Sequence, residues 1–260
     1  MRPVCLITGA SAGIGAALTR VFAEHGHELV LTARRVSQLD SLAGDIAAAG
    51  HPRPHVIAAD LAAAEGVAAL ADAMRDLGVE PAFVVNNAGY GLLGRADRND
   101  TADTLAMIDL NCRAMTDLSL RFVDSVTRHQ GGILNVASIA AFLPGPGMAV
   151  YHATKAYVLS LSEALHQELR NSGVRVCALC PGPVDTEFNG RAGIPRRYFP
   201  SYLRISAAQV AQDGYAGLMG NARVVVPGAL NRLVALLPRL LPRGPILAAM
   251  GYRWRRAGSR

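Results

Sequence analysis

Thr8-Gly9-Ala10-Ser11-Ala12-Gly13-Ile14-Gly15 joins a short apolar run at residues 4–8 to a helical pattern at residues 14–25. A strand that runs into glycines and then into a helix N-terminus builds an anion site. Glycines let the backbone approach a pyrophosphate, and the first amides of the helix face the phosphates. The spacing is GxxxGxG, not the GxGxxG of the common dinucleotide fingerprint. Its position, between the first strand and first helix of an alternating chain, carries the reading. Gly9, Ser11, Gly13, Ile14 and Gly15 are therefore expected to hold the phosphates of a dinucleotide.

Outward from this loop, apolar runs and helical patterns alternate. Strands are expected at residues 28–32, 55–58, 83–86, 132–137, 174–179 and 223–226, after the first at 4–8. Helices are expected at 36–49, 62–77, 101–128 and 150–171, with one more capped by Ser206 before the last strand. Continuous apolar strands separated by helices predict an α/β fold: a Rossmann-type, doubly wound, seven-stranded parallel sheet with helices on both faces. Such sheets bind ligands beyond the carboxyl ends of their strands. Residues 1–228 read as one dinucleotide-binding and catalytic domain, and 229–260 as a basic amphipathic C-terminal extension. Residues 188–202, rich in Gly, Pro and Arg and without periodicity, read as a mobile loop over the site.

The second strand ends Leu31-Thr32-Ala33-Arg34-Arg35, and no acid occurs from Leu29 to Gln38. An NAD site usually has an acid here for the ribose hydroxyls, whereas arginine accommodates the 2′-phosphate of NADP. NADP (NADPH) is thus expected over NAD, with Arg34 on the phosphate and Arg35 as a second candidate. Asp60, after the third strand, either accepts from the adenine amino group or caps the next helix.

The chain has one lysine, Lys155, four residues after Tyr151; every other cation is arginine. On a helix this spacing puts both side chains on one face. An ammonium beside a phenol is expected to lower the tyrosine pKa and make it a working acid/base.

Seven arginines and no acid lie between Asn231 and the C-terminus, and they account for the net charge of +6. The remainder is nearly neutral, which argues against nucleic acid as a partner. In the tail, Arg232, Arg239 and Arg243 share one helical face beside Leu233, Leu236, Leu237 and Leu240. That pattern suits a neighbouring subunit, peripheral contact at the inner membrane face, or packing on the chain's own domain. Pro238 and Pro242 are expected to interrupt any single helix. Cys177 and Cys180 form a CxxC that suggests redox or metal chemistry. On a strand their odd separation sends them to opposite faces, as buried structural residues. With no disulfide framework, signal peptide or long apolar run, a cytoplasmic setting is expected.

Together, Thr8–Gly15, Asn86-Asn87-Ala88-Gly89, Asn111, Ser138, Tyr151-xxx-Lys155 and Pro181-Gly182 resemble the short-chain dehydrogenase/reductase family, in its single-domain branch. The resemblance runs from Val4 to about Gly228. It implies a catalytic tetrad of Asn111, Ser138, Tyr151 and Lys155, with Thr154 where the family usually has serine. It implies hydride transfer between a nicotinamide and a carbonyl or secondary alcohol, Tyr151 supplying the proton and Ser138 polarising the oxygen. Lys155 would also hold the nicotinamide ribose and Asn111 a water that relays protons, although Asn111 suits a plain backbone contact equally well. Asn87, Ala88, Gly89, Pro181, Gly182, Val184 and Thr186 would line the cofactor groove. Tyr90, Phe142 and Phe188 sit where an apolar substrate wall would be, although aromatic residues there suit plain core packing equally well. The long helices at 101–128 and 150–171 would pack against a partner's, giving a homodimer or homotetramer. Two other readings are a catalytically silent NADP-binding sensor or scaffold and a nucleotide-sugar epimerase or dehydratase. The complete tetrad argues against the first, and the few residues after the sheet argue against the second.

Overall fold

Along β1 (Arg2–Thr8), Val4 and Leu6 pack into one apolar layer while Cys5 and Ile7 pack into another. Side chains alternate across a strand, so a run buried at both parities marks a strand covered on both faces. The computed structural model, which describes residues 1–195 and 199–258, extends this into a seven-stranded parallel sheet of order β3-β2-β1-β4-β5-β6-β7. The other strands are β2 (Leu29–Ala33), β3 (His55–Ala58), β4 (Val79–Asn86), β5 (Gly132–Val136), β6 (Arg175–Leu179) and β7 (Val224–Val225).

One face carries α1 (Gly13–Glu24), α2 (Val36–Ala48) and α9 (Ala207–Met219), which bury Leu18, Phe22, Leu39 and Val210 against it. The other carries α3 (Gly66–Asp76), α5 (Met115–Arg121), α6 (Val123–Arg128) and α7 (Ala149–Glu168). The order reverses between β1 and β4, so the crevice of this fold opens at their carboxyl ends. Thr8 joins the two strands there: its hydroxyl donates to the Val85 carbonyl and accepts from the amides of Asn87 and Ala88. Cys177 and Cys180 are free, buried, and in separate apolar clusters.

Four local expectations change. The helix expected from residue 62 begins at Gly66, because residues 60–66 form a tight turn in which Gly66 lies against the Asp60 carbonyl. The helix expected over 101–128 is broken. α4 (Thr101–Ile108) passes into a π-helical turn, Asp109–Ala114, before α5, and α6 follows Phe122. Within 188–202, α8 (Glu187–Arg191) and a 3₁₀ turn, Ser201–Leu203, are ordered helix, while residues 196–198 of that expected loop lie outside the described residues. In the tail, α10 (Ala229–Leu240) runs through Pro238. The break falls at Leu241, whose extended backbone is what a following proline favours, and α11 (Arg243–Gly258) begins beyond Pro242.

Candidate active site

The cofactor wall is fixed by backbone proximity. Gly9 has φ +64, and a Cβ there would meet the Ala88 Cα at 2.8 Å. A Cβ at Gly15 would strike the Gly9 carbonyl oxygen. The Asn87 amide donates to the carbonyls of Thr8 and Gly9 and holds the loop onto β4. Helix α1 begins with no side-chain cap, so its first amides are left for another acceptor. Gly13, at φ +57, brings its backbone against Thr186, whose hydroxyl caps α8 by accepting from the Phe188 amide. These glycines form a cradle that side chains would fill, and the uncapped helix end suits an anion, so the residues fit a dinucleotide.

At the outer rim, Arg34 is exposed and Arg35 is half-buried. Arg35 donates to Ser11 Oγ at 3.1 Å and pairs with Glu187 at 2.9 Å. Asp60 also lines the cleft, and one of its carboxylate oxygens accepts from the Ala62 amide at 3.1 Å. It therefore caps a turn and not the start of α3, as the adjacent glycine contact requires.

Ser138, Tyr151 and Lys155 converge at the end of β5. Ser138 follows the strand and caps the 3₁₀ turn Ile139–Phe142, accepting from the Ala140 amide. Tyr151 and Lys155 lie in the first turns of α7, both buried. Lys155 Nζ donates to the Val136 carbonyl at 2.8 Å and stands 5.9 Å from the centre of the Tyr151 ring. Asn111 points inward from the π-helical turn, an element found disproportionately at functional sites. It donates to the Tyr90 carbonyl and to Thr154 Oγ1, and accepts from the Tyr90 amide. The backbone-contact reading of Asn111 describes these bonds. Gly89 passes beside Asn111 and Lys155, where a Cβ would lie 2.8 Å from Asn111 Oδ1.

The expected depression of the Tyr151 pKa is corrected. Burial pushes this phenol up to about 12, with a hydrogen bond to Ser138 acting the other way. Burial also brings Lys155 down to about 8. The ammonium spends its shortest bond on Val136, and a desolvated phenol resists ionisation. Tyr151 is therefore protonated throughout the neutral range.

The remaining wall of the cleft, which encloses about 800 Å³, is mainly apolar. Tyr90 and Phe188 line it, and the Phe188 ring lies 5.5 Å from that of Tyr151. Tyr90 also donates its hydroxyl to the Asp103 carbonyl. Phe142 does not take its expected place: it packs with Met115, Val158, Val224 and Val226. Pro181, Gly182 and Val184 follow β6 along the cleft, with Gly182 pressed against the Asn231 amide group. The sequence reading missed His152, Val234 and Met250, which all line the cleft. His152 binds the Leu143 carbonyl at 2.7 Å. Val234 and Met250 come from α10 and α11, so the tail is part of this wall. Trp254 of α11 lies against Gly147, and Asn231 of α10 donates to the Leu203 and Pro227 carbonyls.

Comparison with known proteins identifies the family. A family model described as short chain dehydrogenase matches residues 3–195. Serine 3-dehydrogenase of Agrobacterium fabrum is 34% identical over 190 residues, 72% of this chain and 74% of that protein. A short-chain dehydrogenase from Sphingobium yanoikuyae, solved in complex with NADPH, aligns with a TM-score of 0.81. It is 33% identical, and the match covers 92% of this chain and 93% of that one. The bulky-bulky ketone specific alcohol dehydrogenase of Comamonas testosteroni aligns with a TM-score of 0.75 at 28% identity, over 94% and 96% of the chains. The chain belongs to the short-chain dehydrogenase/reductase family and is an NAD(P)-dependent oxidoreductase. Among the described residues, no helix is long and apolar enough to cross a membrane, and no cluster of His, Cys, Asp or Glu suits a metal ion.

Proposed function

We propose that the chain is an NADPH-dependent reductase of apolar ketones, interconverting a carbonyl and a secondary alcohol. The observation that carries this reading is a buried Tyr151, hydrogen-bonded to Ser138, at the wall of an apolar cleft. A protonated phenol at this place can donate to a carbonyl oxygen that gains negative charge as hydride arrives. The nicotinamide, when bound, supplies the hydride. Ser138 holds the carbonyl oxygen by hydrogen bonding, and Tyr151 delivers its proton there. Lys155 keeps a positive charge near the phenol and would hold the nicotinamide ribose of a bound cofactor. Asn111 positions the Tyr90 backbone and Thr154, and through them the start of α7. Arg34, with Arg35 beside it, is the proposed ligand of the 2′-phosphate, and the resemblance to a chain solved with NADPH supports that choice.

Self-association as a homodimer or homotetramer belongs to the same reading. Leu105, Leu120 and Tyr157 are exposed on the helical stretches that would meet a partner. A cytoplasmic setting suits the reduced cysteines. The test is the rate of NADPH and NADH oxidation with a panel of bulky ketones, aldehydes and acyl thioesters. Turnover of apolar ketones with NADPH preferred is expected. A preference for NADH, or turnover confined to small charged carbonyls, would overturn the assignment.

A further inference from the structure

Helix α10 has two apolar faces. The inward face buries Asn231 and Ala235 and places Val234 in the cleft. The outward face carries Leu230, Leu233, Leu236 and Leu237, which are 49%, 56%, 50% and 42% exposed. At 100° per residue these four fall on one contiguous arc opposite Asn231 and Ala235. Leu241, just after α10, and Leu247, in α11, are also exposed. Arg232 flanks the arc and Arg243 follows it, both exposed. A soluble helix with its inner face already buried has no folding use for four exposed leucines.

We infer that this face docks on an anionic lipid surface and so sets the substrate class as apolar carbonyls or alcohols dissolved in the bilayer. This rests on the apolar-ketone reading above. Charge selects the occupant. The segment from Asn231 onward has seven arginines and no acid, which complements anionic headgroups. A second copy docking through the same face about a two-fold axis would set these arginines against their own equivalents. Exposed leucines beside cations are the pattern of a helix lying in the headgroup boundary. Helix α10 is then a single-helix partition, about 10 Å thick, between bilayer and substrate wall.

Co-sedimentation of the full chain with vesicles of phosphatidylglycerol and phosphatidylcholine, against phosphatidylcholine alone, tests the docking. Wild-type protein should pellet with the anionic vesicles and lose at least about tenfold in partitioning without the anionic lipid or at high salt. The triple variant Leu230→Gln/Leu233→Gln/Leu237→Gln should lose a similar factor while NADPH binding, the control for folding, is unchanged. Wild-type protein left in the supernatant, or a triple variant that partitions like wild type, would overturn the inference. So would a triple variant whose only change is a smaller oligomer in analytical sedimentation, since the face would then belong to a second copy. A long-chain ketone held in the same vesicles is the second arm, and faster turnover from anionic vesicles is expected. Vesicle binding without turnover of any ketone in any form would support docking and sink the ketone reading alone.

Discussion

The two walls of the cleft are built by different means. The cofactor wall is backbone: Gly9, Gly13 and Gly15 stand where a side chain would collide with a carbonyl, a Cα or Thr186. The opposite wall, proposed to face the substrate, is side chains from distant segments, with Tyr90 after β4, Phe188 in α8, Val234 in α10 and Met250 in α11. A wall made of backbone admits almost no substitution. A wall made of packed side chains can be recut for a new substrate while the sheet stays as it is. The family match itself ends at residue 195, before the last two of those wall residues.

Substitutions on either wall test this division. The largest effect is expected from Gly15→Val, whose side chain must displace the Gly9 carbonyl and the Asn87 amide. Overpacking of this kind costs on the order of 1–3 kcal/mol in stability. NADPH binding, followed by fluorescence titration beside a thermal melt, should be lost. A variant that binds NADPH normally would show that the loop is not the cradle described.

Lys155→Met should remove turnover and change how stability depends on pH. Burial lowers Lys155 from 10.5 to about 8, so above pH 8 the folded protein holds fewer protons here than the unfolded chain. This contribution to stability is full above 10.5 and is lost as pH falls through about 8. Tyr151, raised from 10 to about 12, acts in the opposite sense only above pH 10. Wild-type stability should therefore climb relative to Lys155→Met between about pH 8 and 10 in denaturant titrations. Parallel profiles would contradict the burial of the ammonium.

Arg34→Ala should weaken NADPH about ten- to a hundredfold and NADH much less, because a charge-assisted phosphate bond contributes about 1.5–3 kcal/mol. Equal losses for both cofactors would move the phosphate site away from Arg34. The smallest effect is expected from Met250→Ala, which should change KM for a bulky ketone a few-fold, consistent with about 0.8 kcal/mol per buried methylene. Its NADPH affinity should match wild type. Equal damage to cofactor binding would erase the division between the walls.

The same division explains what could be read in the sequence. The glycine loop was legible because a backbone collision can be avoided only by glycine, and that requirement is local. The parallel sheet was legible because strands buried on both faces are continuous apolar runs. The π-helical turn around Asn111 left no local signal; it is stabilised by bonds to Tyr90 and Thr154, 21 and 43 residues away. Spacing put Tyr151 and Lys155 on one helix face but carried nothing about burial or about the Val136 carbonyl, so the direction of the Tyr151 shift came out wrong. Phe142 was misplaced because the 3₁₀ turn after Ser138 directs neighbouring residues to different sides: Ala140 packs toward the cleft cluster and Phe142 under the sheet edge. Val234 and Met250 reach the cleft only through tertiary packing of the tail, which the basic, leucine-rich pattern did not reveal.

In the proposed mechanism Tyr151 donates its proton to the carbonyl oxygen, in a cleft whose cofactor-facing wall is separate from it. Tyr151→Phe removes one hydroxyl and leaves the ring, its contact with Phe188 and the glycine loop in place. The direct measurement is kcat for an apolar ketone beside the NADPH dissociation constant for this variant. A fall in kcat of about a hundred- to ten-thousandfold is expected, with NADPH affinity unchanged. A variant that retains half the wild-type rate, or one that loses NADPH as it loses turnover, would contradict it.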